Sequence, residues 1–369
     1  MTSSELKQYI RQQCGDPAVG ITSVDDFNAE EVAALQGLNR TMAAYTPMYD
    51  PDSLVFQPGD FLDNGQAIIV LGFNMYFGRR SGLPGSPPRS EIMNFYVNPE
   101  CLAYIAGQLE KVTAFLADKG FNAASLASGI PLKILAARSG MGRYGKNGVI
   151  QAPRLGSWLG LTGVITDAPL EFDAPLEDAC GTCSLCREAC PTGALDEPYK
   201  CDITKCLTLH MVNNKGEIPR DIKEKAGTCL AHCNICLDVC PRNNKLEVQT
   251  EISNPEDSVY PEVAPLVTMT DAQFEEMFSG TFLEFMFMDK KYLQRNAAIV
   301  LGNIGDPAYV PILAEALVSQ PEELVRTDAA WALGRIGTDE ARAVLEKHLQ
   351  QEVSAMVRDE ITCALERPA

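Results

Sequence analysis

The chain has 369 residues, a hydrophobic fraction of 46% and a formal net charge of −18. That length fits two or three domains with sizeable cores, and the charge argues against a polyanion partner gripped by clustered Lys and Arg, although an acidic surface is also simply a soluble one. No apolar run approaches the 18 residues of a membrane span, and MTSSELKQYIRQQCGD at the N-terminus lacks the basic and apolar regions of a secretory leader, so the expectation is a cytoplasmic protein with no membrane contact.

Residues 1–172 read as an α/β domain. Ala18–Thr22, Ala67–Phe73 and Leu161–Thr166 are strand candidates, and Ile105, Leu109, Val112 and Leu116 recur at helical spacing ahead of Gly120. Pro131 can open a short helix that Gly140 closes. Ser81–Ser90 is a loop rich in Pro, Gly and Ser. Residues 173–250 hold the cysteine motifs and read as a ferredoxin-like module. Residues 251–265, with Pro255, Pro261 and Pro265, look like a linker wrapping over the surface. Within 251–369 an internal repeat follows. AAIVLGNIG at 297–305 returns as AAWALGRIG at 329–337, and a decayed third copy begins near Met356. This offset predicts HEAT-like helix pairs, with Ala and Leu packing closely and Gly ending the helices.

Eight of the 13 cysteines carry the chemistry. The first motif is Cys180-x2-Cys183-x2-Cys186-x3-Cys190-Pro191; the second is Cys233-x2-Cys236-x3-Cys240-Pro241, with Cys206 and Cys229 upstream. Soft thiolates suit iron–sulfur clusters, and the Cys before Pro crosses to the other cluster in two-cluster ferredoxins. Cys180, Cys183, Cys186 and Cys240 are therefore expected to hold one [4Fe–4S] cluster. Cys190, Cys233 and Cys236 hold three corners of the second, and spacing alone leaves Cys206 and Cys229 both open for the fourth. Structural zinc also uses C-x2-C pairs, but two C-x3-C-P endings favour iron–sulfur.

AIIVLGFNMYF (67–77), RSGMGRYGKNGVI (138–150), CLTLHMVNNKGEIP (206–219) and LQRNAAIVLGN (293–303) resemble the epoxyqueuosine reductases, and more broadly the reductive dehalogenases. The resemblance implies that Cys206 completes the second cluster, and that a base-off cobalamin or other corrinoid sits on the N-terminal, corrinoid-binding-like domain. Gly140, Gly142, Gly145, Lys146, Asn147, Arg138 and Ser128 are the expected cofactor-binding residues. The glycines would let backbone approach a flat ligand. Of the three histidines, His210, His232 and His348, none lies in residues 1–172, consistent with cobalt lacking a protein His ligand.

The chain also departs from that family. Ser128 stands where epoxyqueuosine reductases carry an Asp read as proton donor, and a hydroxyl is a poor general acid near neutral pH. FYVNPECLAY (95–104) replaces an Asp-Tyr-His triplet, and Arg143 an aromatic residue. Tyr144, Tyr96 and Tyr76 become the candidate acids, assisted by Arg143, Arg138 or Lys146, because a nearby cation lowers a phenol pKa. From Glu251 to Ala369 nine Lys and Arg stand against 21 Asp and Glu, a net of −12. That acidity makes tRNA an unfavourable partner on this reading. The expectation is a cobalamin-dependent iron–sulfur reductase of a small molecule or protein, fed by a low-potential donor such as ferredoxin or flavodoxin. The acidic repeats offer a protein-docking face. The alternatives are a genuine epoxyqueuosine reductase acting on tRNA, and a non-catalytic electron carrier or reductase of a corrinoid partner.

Overall fold

The computed structural model describes the chain except residues 47–49, 51–52, 79–87, 127–128, 179 and 367–369. Two compact units emerge, each from three stretches: Met1–Gly78, Glu100–Ile203 and Asn234–Ser253 form the first, and Arg79–Pro99, Thr204–Cys233 and Asn254–Ala369 the second. The consecutive regions 1–172, 173–250 and 251–369 do not coincide with them. Leu207, Met211, Ile218, Ile222 and Leu230 of the cysteine segment bury in one cluster with the repeat helices.

In the first unit, strands β1 (Ala18–Ser23), β2 (Ala67–Asn74), β3 (Ala123–Ser125) and β6 (Leu159–Thr166) form a sheet in the order β1-β2-β6-β3. Every pairing in it is antiparallel. β2 is central and buried from Ala67 to Phe73, which accounts for its unbroken apolar run. Helix α1 (Ser3–Gln13) buries Leu6 and Ile10; α2 (Ala29–Ala43) starts on a capping box between Asn28 and Glu31. The long helix α3 (Pro99–Asp118) buries Cys101, Ile105, Val112 and Leu116 along one face. Burial pushes the Cys101 thiol up to about 12, leaving it inert. Helix α4 (Leu132–Arg138) follows Pro131, and Gly140 turns the chain at φ +64 into a two-stranded ribbon, β4 (Arg143–Tyr144) with β5 (Ile150–Gln151).

The second unit carries the repeats: α5 (Lys290–Ile304), α6 (Val310–Ser319), α7 (Glu323–Ile336), α8 (Asp339–Leu349) and α9 (Ala355–Glu366). Only two of the repeat's glycines end helices. Gly305 and Gly337 cap α5 and α7 in the left-handed region. Gly302 and Gly334 lie inside them, where a Cβ would come within 2.8 Å of the Ala332 backbone and 2.5 Å of Ala364 Cβ. They set how closely α5, α7 and α9 approach. The stretch 251–265 is not a surface linker: it forms short helices Glu256–Val259 and Val263–Leu266, and Val259, Tyr260 and Val263 are buried in the repeat core. Pro255 and Pro261 precede these short helices, and Pro265 lies inside the second.

Glu352 ties the last repeats together. It accepts from Arg326 Nε at 3.0 Å, His348 Nε2 at 2.9 Å and the backbone N–H groups of Val353 and Ser354 at 2.9 Å. Burial works to raise its carboxyl, but the bonds from Arg326, Ser354 and His348 outweigh this and hold it at about 2. A depressed carboxyl contributes stability that is present above its unfolded pKa of about 4.3 and is lost as pH falls toward 2. Glu352→Gln is expected to destabilise the protein by about 2 kcal/mol at pH 7, since it weakens the hydrogen bonds that Arg326 and His348 make to a buried carboxylate. The deficit should shrink by pH 3. Urea melts at both pH values check this, and equal midpoints at pH 7 would remove Glu352 from the account.

Candidate iron–sulfur and cofactor site

Cys180, Cys183, Cys186 and Cys240 all belong to the first unit. Asp178 starts their loop, accepting from the N–H groups of Cys180 (2.9 Å) and Gly181 (3.3 Å), and Cys183 N–H closes a turn onto the Cys180 carbonyl. Cys186 opens into the one-turn helix Leu185–Glu188, and Cys240 follows the matching helix Ile235–Asp238. Burial first, then the neighbouring Cys180, Cys240 and Cys183 thiols, push Cys186 up, and Cys240 is raised by burial with Cys180 and Cys183 beside it. These four sulfurs therefore share one electrostatic neighbourhood. Among the described residues no three His, Cys, Asp or Glu side chains gather as a site for a single metal ion. Cys190 Sγ lies 3.6 Å from the Thr192 hydroxyl, and the turn after it is made by Gly193 at φ +68.

The glycine-rich stretch serves this loop as much as any ligand. Lys146 Nζ donates to the carbonyls of Gly181 (2.5 Å) and Cys183 (2.9 Å), placing a cation at the loop that carries Cys180 and Cys183. The glycines answer to protein neighbours: a Cβ would lie 2.3 Å from the Ala174 carbonyl at Gly140, 2.6 Å from Ile150 Cγ2 at Gly142 and 2.4 Å from Gln151 Nε2 at Gly145. Arg138 is spent on structure. It pairs with Glu31, donates to the Asp25 carbonyl at 3.3 Å and lies over the Phe27 ring. Ser128 lies outside the described residues.

Between Arg143 and Trp158 several buried polar atoms have no partner within the protein. Arg143 Nε, Asn147 Nδ2, Gln151 Oε1, Ser157 Oγ and Trp158 Nε1 all lack a hydrogen bond. Except for Thr46, they are the orphaned side-chain atoms found in the first unit among the described residues. Buried polar groups are almost always satisfied, so a ligand bearing carboxamides and a phosphate, such as a corrinoid, matches this donor and acceptor set. Arg143 and Asn147 are among the residues singled out in the sequence, whereas Gln151, Ser157 and Trp158 belong to no motif and are not. Asn243 is also missed. It accepts from Ser157 N–H at 3.0 Å and donates to the Leu237 carbonyl, fixing this stretch to the turn after Cys240.

The expected acids fare unevenly. Tyr144 is pushed up to about 12 by burial first and then by Glu31, so a lowered phenol pKa does not hold there. The nearby cations are engaged elsewhere: Arg138 faces Glu31, and Arg143 Nη1 donates to the Glu177 carbonyl at 2.8 Å. Tyr76 packs against Trp158 with ring centroids 5.9 Å apart. Tyr96 belongs to the second unit, edge-on to His232 at 6.0 Å and against Phe282 at 5.5 Å.

Of the second expected thiolate set, Cys190 and Cys236 belong to the first unit, Cys206 and Cys233 to the second. Cys233 N–H donates to Thr208 Oγ1 at 3.2 Å, and His210 N–H to the Cys206 carbonyl at 3.3 Å. The Cys229 thiol donates to the His232 carbonyl at 2.6 Å, and burial, then Cys233 and Cys206, push it well up, which keeps it a protonated thiol. The π-helical turn Leu209–Asn213 that follows Cys206 is clamped from α5: Arg295 donates to the carbonyls of His210, Asn214 and Gly216, and Asn296 to those of Met211 and Leu230. No helix among the described residues is long and apolar enough to cross a membrane.

Residues 179–243 match the family model for a 4Fe-4S double cluster binding domain, and residues 283–366 that for HEAT repeats. The epoxyqueuosine reductase of Bacillus anthracis is 34% identical over 236 residues, 63% of this chain and 61% of the relative; the chain thus spans about 60% of the length of the Bacillus relatives it matches. That of Synechocystis is 30% identical over 246 residues, 64% of this chain and 84% of the relative. A crystal structure of epoxyqueuosine reductase with an epoxyqueuosine-modified tRNA-Tyr stem loop aligns at TM-score 0.86 and 27% identity, over 98% of this chain and 97% of that one. This overturns the exclusion of tRNA drawn from net charge, because a relative of the same fold holds a tRNA stem loop. Charge summed over a region is a poor guide, since screening confines repulsion to within about 8 Å at physiological salt. Stem loops also offer unstacked bases that a pocket can grip without a basic face.

Proposed function

The chain belongs to the epoxyqueuosine reductase family, and on that premise we propose that it reduces epoxyqueuosine in a tRNA stem loop. Removal of the epoxide oxygen as water consumes two electrons and two protons. The full-length likeness to the tRNA-bound relative carries this reading. Cys180, Cys183, Cys186 and Cys240 would hold one [4Fe–4S] cluster and Cys190, Cys206, Cys233 and Cys236 a second, which would supply one-electron chemistry. Arg143, Asn147, Gln151, Ser157 and Trp158 would hold a corrinoid, which would supply low-valent cobalt chemistry. The chain's own contribution is to orient that cofactor, hold the cluster loop through Lys146 and keep a proton on Tyr144 Oη across the neutral range.

Expression in a strain lacking its own enzyme is expected to restore queuosine in tRNA. Anaerobic reconstitution should give about eight irons per chain and the EPR signal of base-off cob(II)alamin. Eight irons and bound cobalamin without restored queuosine would favour a second reading, a corrinoid reductase with a changed substrate. The serine at position 128 and the arginine at 143 are the observations on its side. Eight irons without cobalamin binding would sink the corrinoid mechanism.

A further inference from the structure

Gln151 ends β5 and is 3% exposed. Its Nε2 stands 3.8 Å from Cys240 Sγ, and its Oε1 is one of the orphaned atoms. The two ends of the carboxamide are not interchangeable. A thiolate sulfur only accepts, so the NH2 group turns toward it and the carbonyl turns away. Gly145 makes the room: a Cβ there would lie 2.4 Å from Gln151 Nε2 and 2.8 Å from Asn147 Oδ1. The amide is thus seated between a cluster ligand and the unsatisfied polar stretch 143–158.

We propose that Gln151 is a positioning residue coupling the potential of the first cluster to occupancy of the cofactor pocket. Its N–H donates to Cys240 sulfur, which stabilises the more negative, reduced cluster and raises its potential. Its Oε1 accepts from a donor on the pocket's occupant, of the carboxamide N–H class. A donor there polarises the amide and strengthens the bond at its other end. Filling the pocket therefore makes the adjacent cluster easier to reduce, so electrons arrive when the cofactor is in place. The sulfur half of this inference rests on the cluster reading alone, and the tRNA substrate does not enter it.

The experiment is an EPR-monitored redox titration of the full-length, reconstituted protein, with and without added cobalamin. Variants are Gln151→Leu, which removes the donor, and Gly145→Ala, which keeps the glutamine but displaces its amide. At wild-type iron content, one of the two midpoint potentials should fall in both variants while the other stays. Cobalamin should raise that same potential in the wild type but not in Gln151→Leu. Unchanged potentials, or an equal fall in both clusters, would overturn the proposal, and a wild-type potential indifferent to bound cobalamin would overturn its coupling half. If Gln151→Leu loses iron, Gly145→Ala decides by the same criterion. Loss of queuosine formation with these shifts intact would count against the substrate reading and leave this inference standing.

Discussion

Arg295→Ala is expected to lower the stability of the protein by about 4 kcal/mol and to deplete iron from one cluster. Arg295 is fully buried, and burial pulls its guanidinium down to about 10, with Asp328 and Tyr292 working the other way, so it stays charged at neutral pH. It donates to three carbonyls at 2.9 to 3.2 Å, those of His210 and Asn214 buried, and to Asn296 Oδ1 at 3.0 Å. Each carbonyl left without a donor costs about 1–3 kcal/mol, and the cavity adds to that. The damage lands on the segment that runs back to Cys206 and touches Cys233 through Thr208. Arg295→Lys keeps the charge but cannot fork to three acceptors, and should lose about half as much stability. Urea unfolding with iron analysis checks both. An alanine variant with a wild-type midpoint and full iron would show that the clamp holds nothing.

The cysteine spacings, the central strand and the 32-residue repeat could be read from the sequence because each is a local pattern with a known period or geometry. The Arg295–Asn296 pair had a signal too: two polar residues opening an apolar helix, LQRNAAIVLGN, need buried partners. Their partners, 66 to 85 residues away, were not legible, since carbonyls carry no sequence signature. Gln151 gave no signal at all, as its role depends on Gly145 and Cys240 meeting across the fold. The compact units divide the chain differently from the consecutive regions because the apolar residues around Cys206 and Cys229 find their core among the repeat helices, while residues 179–243 and 283–366 still match a double cluster domain and HEAT repeats. The tRNA exclusion failed for a different reason: counting charges says how a surface repels at long range and nothing about which residues line a pocket.

Ser128→Asp is expected to raise the turnover of an epoxyqueuosine-containing stem loop by about 100-fold at pH 7, at the low end of what a positioned general acid contributes. The resemblance puts the family's proton-donating Asp at this position, which lies outside the described residues, so the argument is one of chemistry alone. A serine hydroxyl is too weak an acid to fill the role. Tyr144, at about 12, holds its proton well but parts with it slowly. Protonation should therefore limit the wild type, and a carboxyl should relieve that limit. The pH profile gives the sign: a general acid works in its protonated form, so the variant's gain should shrink as pH rises beyond the new carboxyl's pKa, while the wild-type rate lacks that limb. Single-turnover rates with pre-reduced protein between pH 5 and 9 read this directly. A wild type that is already fast, with no gain from the aspartate, would mean that this chain delivers its proton by another route, and Tyr144→Phe in the same assay would then identify or eliminate the phenol. If neither protein converts the stem loop while both hold clusters and cobalamin, the departure at position 128 marks a changed substrate and not a weakened acid.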